Sequence, residues 1–241
     1  NIEKNQNGVV KYSLCDEETR EEISSARTLK ELIQQILTHA DELNIDKDRI
    51  ILWGGSAGAH LAALAAYSED SRYLKTDSVY DAKVNTLILW YGCFNYNIGK
   101  KLDHWIYCNF FGNENLSMVN NEILLSNPAC HICADAPRTL LQHSLKDMVV
   151  SYEQSVYMYN VLKSIIGEEN VRLDLIEDAD HADIKLFAEE NIKKVFDFIF
   201  SFNGDEFNLH VTFKQLPMMR FGIWKVNCYG DKPNYYFAEC L

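Results

Sequence analysis

Residues 49–66, RIILWGGSAGAHLAALAA, restrict what this chain can fold into more tightly than any other stretch. Ile50, Ile51, Leu52 and Trp53 form a short apolar run bounded by glycines, which reads as a buried strand. Gly54, Gly55, Ser56, Ala57 and Gly58 then fit G-x-S-x-G, and a run of small residues follows. The spacing predicts a strand, a tight turn and a helix, with the Ser56 hydroxyl exposed above a sheet. The flanking glycines have a steric reason, because no side chain fits where such a strained turn doubles back. The helix start points free N–H groups and the positive dipole end toward the serine. The Ala57 N–H is therefore a candidate donor to an oxyanion. Ala59, Ala62, Ala63, Ala65 and Ala66 let the helix pack closely on a sheet. A bare five-residue motif also occurs as an incidental glycine-rich turn. The apolar strand before it and the helix after it favour a nucleophile.

The chain has 241 residues, 47% apolar and 24% charged, which suits one large α/β domain with a sizeable core, alone or with an appendage. Its formal net charge of −12 argues against nucleic acid or an anionic membrane surface as a partner. No run approaches the roughly 18 apolar residues of a membrane span, and no signal-peptide pattern opens the chain. Residue 1 is Asn rather than Met, so the lack of a targeting pattern carries little weight. The seven cysteines are Cys15, Cys93, Cys108, Cys130, Cys133, Cys228 and Cys240. An odd, scattered set fits free thiols in a reducing compartment, and a cytoplasmic location is the expectation. Cys130-His131-Ile132-Cys133 is the one tempting metal cluster, but no second ligand pair stands at suitable spacing, so no metal and no organic cofactor is expected.

Read in order, Asn1 to Gly8 is polar and loop-like, and Val9 to Leu14 is a candidate strand. Asp16 to Glu22 reads as a charged loop. Thr28 to Glu31 fits a capping box. Leu29, Leu32, Ile33, Ile36, Leu37, Ala40 and Leu43 then recur at helical spacing. Beyond the serine motif, Ser68 to Asp81 is a polar connection and Val84 to Tyr91 a buried strand. Gly92 to Leu125 is long and aromatic, and serves either as a lid or pocket wall or as a packing subdomain. Arg138 to Gln142 reads as a strand, Ser151 to Ile165 as an amphipathic helix, Val171 to Ile176 as a strand and Ala182 to Phe202 as one long helix. The alternation predicts a mainly parallel sheet with helices on both faces. The last stretch, 203–241, reads as a short β-rich tail with strands at His210 to Leu216, Phe221 to Tyr229 and Tyr235 to Cys240.

A serine hydroxyl needs a base to take its proton and an acid to orient that base. Asp147 and His181 each follow a predicted strand, where open α/β sheets place their sites, and they stand in the order Ser, Asp, His. The candidate triad is Ser56, Asp147 and His181. His60 precedes the acid and is fixed on the helix, and His143 reads as a structural loop residue. Asp178 and Asp180 read as solvated loop charges. Trp90, Tyr91 and Phe94 are candidates for either pocket lining or core.

LNIDKDRIILWGGSAGAHLAALAA resembles the α/β-hydrolase esterases of the hormone-sensitive-lipase-like and acetyl-xylan or feruloyl esterase group. The resemblance continues through LILWYG, through SNPACHICADAPRTLLQHSLKDMVVSYEQSVYMYNVL and through DADHAD, and covers roughly Val9 to Phe202. It implies Ser56 as nucleophile, Asp147 as acid and His181 as base, and it places Cys130 to Cys133 in an ordinary connecting segment. The family usually has glycine where Ser144 and Ala182 stand here. Its HGGG-type oxyanion motif has no counterpart in residues 1–55. The expectation is an N-terminally incomplete α/β-hydrolase domain over 1–202 with a small C-terminal β appendage over 203–241. The expected chemistry is hydrolysis of a small-molecule ester. A non-catalytic hydrolase-like binding or scaffold protein, and a peptidase or amidase on the same triad, are the alternatives.

Overall fold

The computed structural model describes residues 2–4, 10–12, 22–43, 45–68, 83–99, 124–201, 222–226 and 235–240. The strand candidate at His210 to Leu216, most of the connection at Ser68 to Asp81 and the middle of the Gly92 to Leu125 stretch lie outside these residues.

Two short strands, β1 (Ile2–Lys4) and β2 (Val10–Tyr12), pair antiparallel with each other. Helix α1 spans Glu22–Thr38 and a single turn, α2, spans Ala40–Leu43. Helix α1 therefore begins well before the capping box expected at Thr28, and most of the loop expected before it lies outside the described residues. The early turn is held by burial of Ala26, which packs against Leu64.

The central sheet has six strands among the described residues. Strands β3 (Ile51–Gly55), β4 (Thr86–Trp90), β5 (Arg138–Ser144) and β6 (Val171–Ile176) run parallel as neighbours. Strands β7 (Gly222–Val226) and β8 (Tyr235–Cys240) come from the stretch read as a β-rich tail. Strand β8 pairs in parallel with β3, setting Cys240 level with Gly54, and β7 lies antiparallel at the outer edge.

Helices cover both faces of the parallel strands. Leu87, Leu89 and Leu141 point to one side, where they meet Leu29, Ile33 and Leu37 of α1, Ala62 and Ala63 of α3 (Ala57–Tyr67), and Met158 and Leu162 of α4 (Glu153–Ile166). Ile88, Trp90 and Leu140 point to the other, against Ile192, Val195, Phe196 and Ile199 of α5 (Glu189–Phe200). The period of two along β4 thus divides one strand between two cores. Burial of the Leu, Ile, Val, Met and Phe side chains among these, worth about 1.5–3 kcal/mol each, holds the layers together.

Two boundaries differ from the sequence reading in ways that matter for the site. Strand β5 continues past Gln142 through His143 to Ser144 because both residues are wholly buried and paired to β6. The long helix expected from Ala182 is broken. A 3-10 turn spans Ile184–Phe187, Ala188 is extended at φ −63° and ψ 145°, and only then does α5 begin.

Among the described residues no helix is long and apolar enough to cross a membrane. Gln154, fully buried on α4, accepts from the N–H groups of Phe94 and Asn95 and donates to the carbonyls of Asn95 and Ile98. All four of its hydrogen-bonding positions are used to anchor the loop that follows β4.

Candidate active site

Three loops at the carboxyl ends of β3, β5 and β6 converge on one point. Ser56 sits between β3 and α3 at φ 54° and ψ −121°, a left-handed backbone that a side chain adopts only under constraint. The constraint is visible. The Ser56 N–H donates to the Trp90 carbonyl at 2.9 Å, pinning the turn to β4. A Cβ on Gly54 would come within 2.3 Å of the Gly58 carbonyl oxygen, and one on Gly55 within 2.7 Å of the Tyr91 hydroxyl. Gly54, the first glycine of the motif, is therefore required by backbone, whereas Gly55, at the motif's variable position, faces a side chain. Ala57 opens α3, and among the described residues no acceptor takes its N–H.

The Ser56 hydroxyl lies 2.9 Å from His181 Nε2, and His181 Nδ1 lies 2.8 Å from Asp147 Oδ2. Asp147 is buried at 2% exposure, so its carboxylate must be paired. Its Oδ1 accepts from the N–H groups of Val149 and Val150 at 2.8 Å each. Burial works to raise its pKa, but hydrogen bonds from His143, His181 and the Val150 N–H outweigh burial and hold the carboxyl well below the usual carboxylate range. An ionised Asp147 can only accept, so His181 carries its proton on Nδ1. Its Nε2 is therefore free to accept from Ser56. The arrangement can take a proton from a hydroxyl and stabilise the imidazolium that results.

The supports of His181 are also defined. The Tyr91 ring packs edge-on against the imidazole, with centroids 4.8 Å apart. The Asp180 carboxylate accepts from the N–H groups of Met148 and His181, which ties the loop after β6 to the loop after β5. Ala182, standing where the resembling family commonly has glycine, has φ 54°.

Of the other sequence candidates, the side chains of His60, Asp178, Trp90 and Phe94 meet none of Ser56, Asp147 and His181 through a hydrogen bond, ion pair or ring contact among the described residues. His60 is buried on α3 with Nδ1 2.9 Å from the Cys93 carbonyl; burial lowers its pKa, and that hydrogen bond opposes the shift in part. Asp178 is exposed and bonds Lys146. Trp90 and Phe94 are core residues, Trp90 packing edge-on against Trp53 and Phe187, so of the three aromatic candidates Tyr91 is the one against His181. Cys130, within the 3-10 turn Pro128–His131, and Cys133, just after it, are exposed free thiols.

His143 is the residue that sequence reasoning placed wrongly. It is not a loop residue. It sits within β5, fully buried, with Nε2 3.3 Å from Asp147 Oδ2. The spacing of four residues between His143 and Asp147 is the only signal the sequence carries for this contact.

The family model described as BD-FAE matches residues 19–162. The chain is 25% identical over 152 residues to the probable carboxylic ester hydrolase LipM of Mycobacterium tuberculosis, a match covering 61% of this chain and 35% of LipM. It thus spans about a third of the length of that relative. Among solved structures, Thermogutta terrifontis esterase 2 phosphonylated by sarin is similar at a TM-score of 0.63 and 20% identity, covering 76% of this chain and 67% of that one. A truncated form of a carbohydrate esterase from gut microbiota is similar at a TM-score of 0.61 and 20% identity, covering 73% and 67%. These likenesses show the fold, which is that of the α/β-hydrolases.

Proposed function

This chain belongs to the BD-FAE family, and from that premise we propose that it is a serine carboxylic ester hydrolase whose triad is Ser56, His181 and Asp147. The observation that carries the reading is the unbroken path from Ser56 Oγ through both nitrogens of His181 to Asp147, with links of 2.9 and 2.8 Å.

In the proposed cycle His181 Nε2 takes the Ser56 proton as Oγ attacks the ester carbonyl. Asp147 holds the Nδ1–H and stabilises the imidazolium without accepting its proton. The Ala57 N–H donates to the oxyanion of the tetrahedral intermediate. His181 then protonates the leaving alcohol, and water repeats the sequence to free the acid and regenerate Ser56. The substrate proposed is a small-molecule ester with a short acyl group such as acetyl, its alcohol open to carbohydrates. The similar carbohydrate esterase supports that range.

The test is hydrolysis of p-nitrophenyl acetate by the chain and by Ser56→Ala, with mass spectrometry after exposure to an organophosphonate. The expected result is turnover that requires Ser56 and one phosphonyl adduct on Ser56. Turnover equal in the two proteins, or no adduct at Ser56, refutes the reading.

A further inference from the structure

His143 is a buried titratable group that the acyl-transfer cycle leaves unused. An imidazole inside a protein is tolerated when both ring nitrogens are paired. Here Nδ1 lies 2.7 Å from Ser155 Oγ on α4. Nε2 lies 3.0 Å from the Val150 carbonyl and 3.3 Å from Asp147 Oδ2. The carbonyl and the carboxylate can only accept, whereas the serine hydroxyl can donate. One neutral tautomer satisfies all three neighbours. Nε2 carries the hydrogen and shares it between Val150 and Asp147, and Nδ1 accepts from Ser155.

We propose that His143 is a positioning residue for Asp147, fixing through Oδ2 the direction from which the carboxylate receives His181. Oδ2 is the oxygen that takes the His181 Nδ1–H, while Oδ1 is occupied by the N–H groups of Val149 and Val150. Each carboxylate oxygen has room for about two donors. With His143 on Oδ2, one place remains there, and His181 occupies it. The carboxyl can neither swing away nor offer its other oxygen. The added donor also makes Asp147 a weaker base, which keeps the shared proton on His181. The ionisable groups facing Asp147 are His143 from β5 and His181 from the loop after β6. Asp180 lies one residue before His181, and the Lys146–Asp178 pair is exposed beyond it.

This inference rests on the triad role proposed for Asp147, and its test separates the two. The variants are His143→Leu, His143→Gln and Ser155→Ala in the full chain. They are read by kcat, KM, the pH profile of kcat/KM on p-nitrophenyl acetate, and Tm. His143→Leu should lower kcat about 10- to 100-fold, the effect of one lost hydrogen bond to a charged group, with KM within about twofold. The acid limb of its profile should move up by about one pH unit, because a carboxylate relieved of one donor presents more negative charge to His181 and holds the imidazolium more strongly. His143→Gln, which keeps an N–H at the Nε2 position, should recover most of kcat and return the limb. Ser155→Ala releases Nδ1 and should move the limb in the same direction by less, and it decides the question if His143→Leu does not fold. An unmoved acid limb in folded His143→Leu and Ser155→Ala, whatever the change in Tm, overturns the positioning role and leaves the triad standing. Hydrolysis that survives Ser56→Ala overturns both.

Discussion

Asp147→Asn changes one atom and reverses the direction of hydrogen bonding through the site. The surroundings dictate how the amide sits. At the Oδ1 position two backbone N–H groups point inward at 2.8 Å each. Placing the amide NH2 there would leave three buried donors facing one another, at about 1–3 kcal/mol for each unpaired group. Two donors also face Oδ2, but His143 can give its Nε2–H wholly to the Val150 carbonyl and His181 can change tautomer, whereas the backbone N–H groups cannot turn away, so the amide oxygen occupies the Oδ1 position and the NH2 the place of Oδ2. It now faces His181 Nδ1, which in the parent is a donor at 2.8 Å. The imidazole responds by moving its proton to Nε2, and that proton points at Ser56 Oγ, 2.9 Å away. A nitrogen that already carries hydrogen cannot take another from serine. Recovering the productive tautomer means opposing two donors in a buried site, and amide substitution of the acid in a Ser-His-Asp triad costs about 10⁴ in kcat. The expected result is a fall in kcat of about 10³–10⁴ with KM nearly unchanged, measured on p-nitrophenyl acetate from about pH 6 to about pH 9. A folded Asp147→Asn protein whose kcat stays within about tenfold of the parent would refute the tautomer reasoning.

Three further outcomes are expected. Because the folded Asp147 carboxyl titrates below its unfolded value of about 3.9, its ionised form adds stability that is complete above that pH and is lost as the pH falls below it. The Tm gap between the parent and Asp147→Asn should accordingly narrow on going from about pH 6 to about pH 3, and a gap that widens contradicts the sign. Gly54→Ala and Gly55→Ala should separate folding from activity. The first drives a Cβ to 2.3 Å from backbone oxygen and should cost about 3 kcal/mol or more in denaturant unfolding. The second meets the Tyr91 side chain, which can yield, so kcat should fall more than stability as Tyr91 shifts against His181; the opposite ranking would be inconsistent with these contacts. Ala182→Gly removes the cost of a β-carbon at φ 54° and should raise unfolding free energy by up to about 1 kcal/mol, offset in part by the freer unfolded chain; a loss of more than about 1 kcal/mol would argue against strain there.

Much of the architecture is written locally. The strand, turn and helix around Ser56, the strand Val171–Ile176 and the amphipathic helix α4 stand where hydrophobic period and glycine placement put them. Such features depend on neighbours within a few residues, so a linear reading reaches them. The order of Ser56, Asp147 and His181 and their position after strands were legible for the same reason. The distances between them and the atoms that meet were not, because those hydrogen bonds span 125 and 34 residues.

The misread elements share a cause, which is that tertiary burial overrode a local signal. Helix α1 runs through the capping box because Ala26 is covered by Leu64. Strand β5 carries His143 and Ser144 inward because β6 pairs with both. A polar histidine four residues before an aspartate looks like loop in sequence, yet Ser155, Val150 and Asp147 together satisfy its ring in the interior. Likewise, only the folded sheet seats β8 beside β3, since strand neighbours follow from backbone pairing across the chain and leave no periodicity to read. What the chain determined by itself is the set of pieces and the residue types fit for acyl transfer. The three-dimensional packing decided which nitrogen faces which oxygen, and that depends on distances no local pattern encodes.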